Sequence, residues 1–444
     1  MNELTLVGNG TVFTLGKDGK VIPNGGVLFE GGVIREVGPT DALKAKAKQF
    51  IDARGRLIMP GMICAHHHLY STFACGLGFK PAKNFVEVLE NLWWKLDRAL
   101  DLEDVYYSAL IPIARCISSG TTTILDHHAS PNAIKGSLAR IGDAVKDAGI
   151  RASLCYEVTD RNGPDGAKAG IDENAAWLDR VSRGKDGMLH GLVGVHAAMT
   201  VGKETLDACI NLTKKFDSGL HIHVSESKFD PEDSMKKWGK RVVQRLKDTG
   251  GLGPKTLAVH CIHLDEREID LLAETKTTVV HNPQSNMNNA VGAALVPKML
   301  EKGIRVCLGT DGMTSNMFEE ARASLFIRHH VAQDPAAGFM DTVKMAFENN
   351  AAVASAYFGK KLGVLEKGAA ADLIVVDHIP FTPATPDNVY GQILFGAAAE
   401  RVLTTVCDGK VLMRDGRLLS LDMEQVTKQA GERTPRTWQR FQKL

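Results

Sequence analysis

The chain has 444 residues, a formal net charge of +1, and 44% hydrophobic and 24% charged residues. This composition is typical of a folded globular protein, and the length predicts one large α/β barrel or a barrel with an accessory domain. The 53 basic residues are balanced by 52 acidic ones, so no basic excess is available for nucleic acid. No apolar run reaches the roughly 20 residues that cross a bilayer, and the first residues lack a secretory pattern. We therefore expect a cytoplasmic protein that binds neither nucleic acid nor membrane.

The eight cysteines stand singly, with no Cys-x-x-Cys pair. Cys155 and Cys307 lie inside apolar runs, which is typical of buried reduced thiols. The spacing predicts neither a disulfide framework nor a thiolate zinc site.

Both ends of the chain have the pattern of small antiparallel strands, which is short apolar runs separated by Gly, Asn and Asp. We expect these ends, 1–57 and 361–444, to build one small β domain together. The runs are 4–7, 11–15, 26–30, 33–37, 371–377 and 402–406.

The middle of the chain, 58–360, alternates strand-like runs with helix-like segments, which predicts βα units around a parallel sheet. A doubly wound open sheet competes with a closed barrel. The barrel is favoured because nearly every run ends in a histidine or an acid, and in a barrel these ends meet at one mouth. The strand-like runs are 58–65, 121–126, 151–157, 189–195, 219–224, 256–260, 277–280 and 305–309, and helical periodicity marks 133–148, 204–216 and 235–249.

Two histidines two residues apart end the first run. In a strand the side chains of His66 and His68 point to the same side, so both imidazoles can bind one metal ion. The fifth run offers a third ligand, but His221 and His223 also alternate to one side and the sequence does not choose between them. We take His223 because it lies nearer the strand end, with Glu226 beyond it as a proton carrier.

Carboxylate and imidazole groups also end the last three runs. Asp311 follows Gly309-Thr310 after the eighth run and can bind metal and accept a proton from water, although an isolated Asp-Gly pair is more often a turn. His260 and His281 end the sixth and seventh runs, where either ring can polarise a substrate. Trp93 lies in an amphipathic stretch where core packing is the default and a substrate contact is the alternative.

Adjacent histidine pairs receive no metal assignment, because neighbouring side chains diverge in a strand or a helix. These pairs are His127-His128 and His329-His330.

Taken in order, these motifs resemble the amidohydrolase superfamily over essentially the whole chain, most closely its aminohydrolase and chlorohydrolase branch and within that the SsnA group of aminohydrolases. The ordered set is specific, although each piece alone is weak. The markers are Pro60-Gly61 with His66-His67-His68, His223-Val224-Ser225-Glu226, Val259-His260-Cys261, His281-Asn282-Pro283, Gly309-Thr310-Asp311 and 365–373.

The resemblance implies an α/β fold, a distorted (β/α)8 TIM barrel with a small β-sandwich built from both chain ends. It also implies one divalent metal ion, zinc or iron, because the fourth run ends at His196 without the lysine that bridges two metals in other branches. The implied metal ligands are His66, His68, His223 and Asp311, the implied catalytic residues are Glu226, His260 and Asp311, and the implied substrate contacts are His196 and His281.

The reaction we expect is hydrolysis of a C–N bond in a small nitrogen heterocycle, by deamination of a purine- or pyrimidine-like ring with release of ammonia. Opening of a cyclic amide and hydrolytic dehalogenation use the same ligands and remain alternatives. A catalytically silent metal-binding barrel is a third, disfavoured because Glu226, His260 and Asp311 are all present. A homodimer or larger homo-oligomer is the default assembly.

Overall fold

Eight parallel strand segments form a closed barrel in a computed structural model that describes residues 3–184 and 187–444. One seam is closed where His67 pairs with Asp311, and the other where Val158 pairs with Val195. Both edges of an open sheet are therefore absent, and the predicted barrel is confirmed. In chain order its strands are Met62–His67, Thr121–His128, Arg151–Tyr156, Leu189–Gly191 with Val193–Ala197, Leu220–Val224, Leu257–His260, Thr278–His281 and Val306–Leu308.

Helical segments connect these strands and end the chain. The α-helices are Thr40–Lys44, Phe85–Val88, Trp94–Ala99, Leu102–Ser118, Ser137–Ala148, Gly163–Arg183, Lys203–Phe216, Phe229–Trp238, Val242–Thr249, Glu266–Glu274, Pro283–Asn288, Val296–Glu301, Met317–Ala332, Phe339–Val343, Asn350–Phe358, Val389–Gly391 and Met423–Gln442. The π-helices are Leu89–Trp93, Lys344–Asn349 and Gln392–Gly396, and the 3-10 helices are Leu69–Ala74, Asp160–Asn162, Ala198–Thr200 and Ala397–Ala399.

One predicted helix is wrong in extent. The periodic stretch 235–249 is divided between Phe229–Trp238 and Val242–Thr249. Gly239 ends the first of these helices in the left-handed conformation, with φ of 64°, a conformation that costs glycine little. Apolar spacing continues across the break, so the pattern alone does not show it.

Both chain ends contribute to a separate nine-stranded sheet, as predicted. The sheet is mixed rather than wholly antiparallel, because Thr5–Phe13 pairs in parallel with two of its neighbours. Side chains from both ends, among them Phe29 and Leu373, share one buried apolar cluster. The strands are Thr5–Phe13, Val21–Glu30, Val33–Pro39, Gln49–Asp52, Leu57–Pro60, Leu373–Val376, Val402–Cys407, Lys410–Arg414 and Arg417–Leu418.

The first predicted barrel run, 58–65, belongs to two strands. Leu57–Pro60 lies in the chain-end sheet, between Thr5–Phe13 and Leu373–Val376, and the barrel strand begins at Met62. At Gly61 a Cβ would lie 2.4 Å from the side chain of Thr122, so this position between the two strands has no room for a side chain. Apart from this strand, the domain limits 1–57, 58–360 and 361–444 stay a prediction.

A buried ion cluster joins the barrel to the chain-end sheet at the end opposite the histidines. Arg151 begins the third barrel strand, is fully buried, and pairs with Asp372 and, at 3.1 Å, with Asp408. Because a buried charge without its partner is costly, this cluster fixes the barrel and the chain-end sheet relative to each other. The C-terminal ends of the barrel strands are left free for chemistry.

Among the helices within the described ranges, none combines the length and the apolar character that crossing a bilayer requires.

Candidate metal centre and active site

Possible ligand atoms from the ends of four barrel strands, the first, fifth, sixth and eighth, meet at the barrel mouth. Overlapping groups of three, each with its ligand atoms within 4.8 Å of one another, include the sets His66–His68–Asp311 and Glu226–His260–Asp311. His223 shares a further group with His66 and His260. The structure therefore brings the four predicted metal ligands and the predicted catalytic residues to one place.

The hydrogen bonds of His68 and His223 show which ring nitrogens are free. Nδ1 of His68 lies 2.6 Å from the carbonyl oxygen of His127, and Nδ1 of His223 lies 2.7 Å from that of His196. A carbonyl has no proton to give, so each Nδ1 donates and each neutral ring keeps a lone pair on Nε2. Burial lowers the pKa of both imidazoles, which favours the neutral form.

A chain of buried contacts leaves the Nε2 of His66 free, as in His68 and His223. The Cys155 thiol donates to the Asp126 carbonyl at 3.4 Å, and its sulfur lies 3.6 Å from Nδ1 of His221. With a proton on that Nδ1, the Nε2 of His221 accepts from Nδ1 of His66 at 2.8 Å. His66 Nε2 is then a buried lone pair without a hydrogen-bond partner. His221 thus supports a ligand, whereas His223 lies among the ligands.

The separations of these atoms fit a divalent metal ion. The two Nε2 atoms of His68 and His223 are 3.2 Å apart, yet neither carries a proton to share. Asp311 Oδ1 lies 3.3 Å from Nε2 of His68 and 3.8 Å from Nε2 of His66. Ligand atoms bound to one divalent metal ion at about 2.1 Å would lie roughly 3.0–3.4 Å from their nearest neighbours. Lone pairs that face one another at this spacing are stabilised by a cation between them.

Asp311 is held in an uncommon backbone conformation, with φ of 53°, which is found at functional sites that the surrounding structure holds in place. Its Oδ2 accepts from the Ser285 hydroxyl at 2.6 Å and its Oδ1 from the Gly312 N–H at 2.8 Å. Burial by itself would raise the pKa of this carboxyl, but His68, His260 and these hydrogen bonds bring it below its usual value. Asp311 is therefore a carboxylate at neutral pH, as a metal ligand must be.

Glu226 lies beside this group on the loop after the fifth strand. Its Oε2 is 3.5 Å from Nε2 of His260, and its Oε1 accepts from the Asn289 amide at 3.5 Å. Burial, followed by the charge of Asp311, raises the pKa of Glu226 well above its usual value. A protonated carboxyl at the cavity wall is suited to donate a proton.

His260 reaches the centre because the backbone turns at the strand end. Val259 points into the barrel interior, so simple alternation would send the next side chain outward. His260 instead has φ of 69°. Its Nδ1 donates to Asn286 Oδ1 at 2.8 Å, and its Nε2 is buried, without a hydrogen-bond partner and 3.6 Å from Asp311 Oδ2.

A cavity opens beside the predicted ligands and is lined on one side by apolar side chains. Trp93, which the sequence left between core packing and substrate contact, lines this cavity and also packs edge-on against Tyr70 at 6.4 Å. It is accompanied by Phe85, Leu89, Trp94 and Met199. This wall offers flat apolar contact to a ring.

His196 lines the polar part of the cavity, as predicted for a substrate contact. Thr200 donates its hydroxyl proton to the Ala197 carbonyl and accepts from Nδ1 of His196 at 2.8 Å. The Nε2 of His196 then faces Glu157, 3.5 Å away. Burial raises the pKa of Glu157 to about 8, so this carboxyl can donate to the ring.

The cavity residues that were not predicted as site residues include Glu157, Asp97 and Arg161. Glu157 ends the third strand-like run, which was a usable signal. Asp97 and Arg161 form a buried ion pair across the cavity and lie in the long segments that follow the first and third barrel strands. Such segments carry specificity in barrels, but their sequence does not show that two residues 64 apart will pair.

His281 does not reach this cavity. Val280 points into the barrel interior, so the alternation of the strand Thr278–His281 directs His281 outward. Its ring lines a neighbouring cavity beside Ser324 and Arg328. The predicted substrate contact by His281 is not supported by this arrangement.

Comparison with known proteins places this geometry in a family. The model of the amidohydrolase family matches residues 57–412. The chain is 33% identical over 434 residues to a 5'-deoxyadenosine deaminase of Methanosarcina acetivorans, covering 96% of each chain. It is 32% identical to a 5-methylthioadenosine/S-adenosylhomocysteine deaminase of Syntrophomonas wolfei, covering 96% of this chain and 97% of that protein.

Among solved structures, a zinc-bound adenosine deaminase of Xanthomonas campestris has a similar fold. The TM-score is 0.85 at 24% sequence identity, over 99% of both chains. The barrel with its chain-end sheet is thus an arrangement shared with known proteins. From the family match over most of the chain and the two relatives above 30% identity, we conclude that the chain belongs to the amidohydrolase family.

Proposed function

We propose that this protein is a metal-dependent aminohydrolase that removes an amino group, as ammonia, from a purine-like ring of a small nucleoside-like substrate. The observation that carries the proposal is the meeting of three imidazole lone pairs and one carboxylate beside a buried acid, Glu226, at the wall of one cavity. A metal site with a purely structural role needs neither an acid beside it nor an open cavity. Relatives that align over 96% of the chain are named as deaminases of adenine nucleosides.

The metal ligands we propose are His66, His68, His223 and Asp311, and zinc is the ion we expect, with iron as the alternative. A divalent ion bound there lowers the pKa of water toward neutrality and so makes hydroxide available at pH 7. One ion is sufficient for this chemistry.

The side chains around the ligands have complementary protonation states. Asp311, a carboxylate, accepts the proton of the attacking water. Glu226, held protonated by burial, donates its proton to a ring nitrogen of the substrate, takes up the proton that Asp311 received from the water, and donates it to the departing amine. As ammonia leaves and the carbonyl group forms, the proton of the added hydroxyl group returns to Glu226, so that both carboxyls end in their starting states. With Nδ1 committed to Asn286, the free Nε2 of His260 accepts a hydrogen bond from the water and then from the hydroxyl group formed on the ring carbon, which holds the oxygen of the tetrahedral intermediate in place.

The cavity supports a nucleoside-like substrate. Its apolar wall, with Trp93 and Phe85, provides surface for a heterocycle. Beyond the ligands lie the buried Asp97–Arg161 pair and His196, whose donors and acceptors can bind a polar substituent. A substrate with a ring at the metal end and hydroxyl groups at the far end matches both parts.

The test is a screen of the purified, metal-replete protein against aminated purines, their nucleosides, pyrimidines and pterins. We expect release of one ammonia for each substrate consumed, together with exchange of an amino group for oxygen in the product mass, and the fastest turnover with an adenine nucleoside. Opening of a cyclic amide would increase the product mass by one water without releasing ammonia, and dehalogenation would require a halogenated ring. Either outcome, with no ammonia from any purine, would contradict the proposal.

A further inference from the structure

One short helix, together with the residue that follows it, contacts all three side chains proposed to carry the chemistry. Pro283–Asn288 follows the seventh barrel strand and has only six residues. Two of its residues, and the residue that follows the helix, each form a hydrogen bond with a different one of these side chains. Ser285 donates to Asp311 Oδ2 at 2.6 Å, Asn286 accepts from His260 Nδ1 at 2.8 Å, and Asn289 donates to Glu226 Oε1 at 3.5 Å.

These contacts determine how the carboxylate of Asp311 and the ring of His260 are oriented. The Ser285 bond holds Oδ2 of Asp311 at 3.6 Å from His260 Nε2, which leaves Oδ1 at 3.3 Å from His68 Nε2. The Asn286 bond leaves the proton of His260 on Nδ1 and so keeps its Nε2 free. A small displacement of the helix would therefore disturb Asp311, His260 and Glu226 together.

The helix is anchored at its second residue by a buried carboxyl from another element. Glu320 Oε1 accepts from the Gln284 N–H at 3.0 Å. That N–H is one of the first amides of the helix, which have no partner within the helix itself. Glu320 is fully buried, and it forms no ion pair with any residue in the described ranges.

Glu320 also belongs to the segment that carries Asp311. It lies in the first turn of Met317–Ala332, whose N-cap Asn316 follows the eighth barrel strand after the loop that holds Asp311. Two links therefore join this segment to the short helix, namely Glu320 with Gln284 and Asp311 with Ser285. With two links, the short helix cannot turn about either one.

We propose that Glu320 is a positioning residue that acts through the helix Pro283–Asn288 to orient Asp311, His260 and Glu226, with the acceptor oxygen of its side chain as the required feature. The inference rests on the proposed function for its effect on turnover, but its effect on metal binding does not depend on the substrate. Burial raises the pKa of Glu320 to about 8, so the negative charge is not what the position needs.

The test compares Glu320→Gln, which keeps an acceptor oxygen, with Glu320→Met, which removes it at similar size. We expect Glu320→Met to weaken Zn²⁺ binding, measured by competition with a chelator, about 10- to 100-fold, as loss of a group that orients a ligand does. Its kcat should fall by a similar factor with KM little changed, and the visible spectrum of the Co²⁺-loaded protein should shift. Glu320→Gln should stay within about threefold of wild type in every measurement.

A matched control is Glu173→Met. Glu173 is also buried and accepts two backbone N–H groups, from Gly136 and Leu138 at 2.8 and 2.9 Å, but it does not line the cavity. This variant should lower the melting temperature and leave Zn²⁺ affinity and the Co²⁺ spectrum unchanged. If Glu320→Met does not fold, Ser285→Ala tests the same path, with the same spectral shift expected.

Unchanged Zn²⁺ affinity and Co²⁺ spectrum in folded Glu320→Met, or in Ser285→Ala, would overturn the inference. Equal losses in Glu320→Met and Glu320→Gln would also overturn it. If instead wild type shows no deaminase activity while the Zn²⁺ and Co²⁺ results follow expectation, the proposed function fails and the positioning role stands.

Discussion

Replacement of Glu226 by glutamine is expected to lower turnover about 10²- to 10⁴-fold, the range that a positioned acid contributes, with metal content unchanged. Glutamine is nearly the same size and keeps an oxygen that can accept from Asn289, but it has no proton to give to a ring nitrogen. Turnover is measured as ammonia release at saturating substrate, and metal content by elemental analysis of the same sample.

The control is Glu232→Gln, the same change at an exposed position on the helix that follows the Glu226 loop. It should have wild-type turnover. A Glu226→Gln protein that retains its metal and turns over near the wild-type rate would remove Glu226 from the mechanism.

The largest effect on metal binding is expected for His223→Asn, and the contrast with His221→Asn resolves the choice that the sequence left open. Nε2 of His223 faces the other ligands, so His223→Asn should leave the protein without metal and without activity. His221 instead accepts from His66, so its loss should weaken binding only about 10- to 100-fold.

Both variants are measured by metal content after dialysis and by Zn²⁺ titration, with the exposed His330→Asn as a control that should match wild type. Full metal content in His223→Asn, or complete loss in His221→Asn with retention in His223→Asn, would reverse the assignment.

The parts of the site that the sequence predicts well are those governed by strand alternation. Side chains two residues apart in a strand share a side, which predicted His66, His68 and His223 as one set. The structure brings the three together, although His68 follows the strand Met62–His67 and the register of that strand shifts between Cys64 and His67. The ordered motifs also predicted the family, and five of the six markers predicted the barrel, because each of these falls at the end of a different barrel strand. For His221 and His223 alternation gives both residues the same side, and only the hydrogen-bond partners separate them.

The sequence is less informative where the backbone departs from regular geometry. The backbone turn at His260 breaks the alternation of side chains, whereas at His281 the alternation holds and directs the ring outward. In the sequence, both residues have the same pattern, a histidine at the end of a strand. The Asp97–Arg161 pair joins two segments distant in sequence. Ser285 and Asn286 lie just beyond the His281-Asn282-Pro283 motif, which gives them no role. The hydrogen-bond partners of Ser285 and Asn286 come from other strands, so these contacts can be identified only in the folded chain.

The most direct measurement of the central claim is anomalous X-ray diffraction at the metal absorption edge from crystals of the metal-replete protein. We expect a single peak, about 2.0–2.2 Å from the Nε2 atoms of His66, His68 and His223 and from a carboxylate oxygen of Asp311. No peak among these four side chains, a second peak of equal height beside the first, or a peak bound by His221 in place of His223 would contradict it.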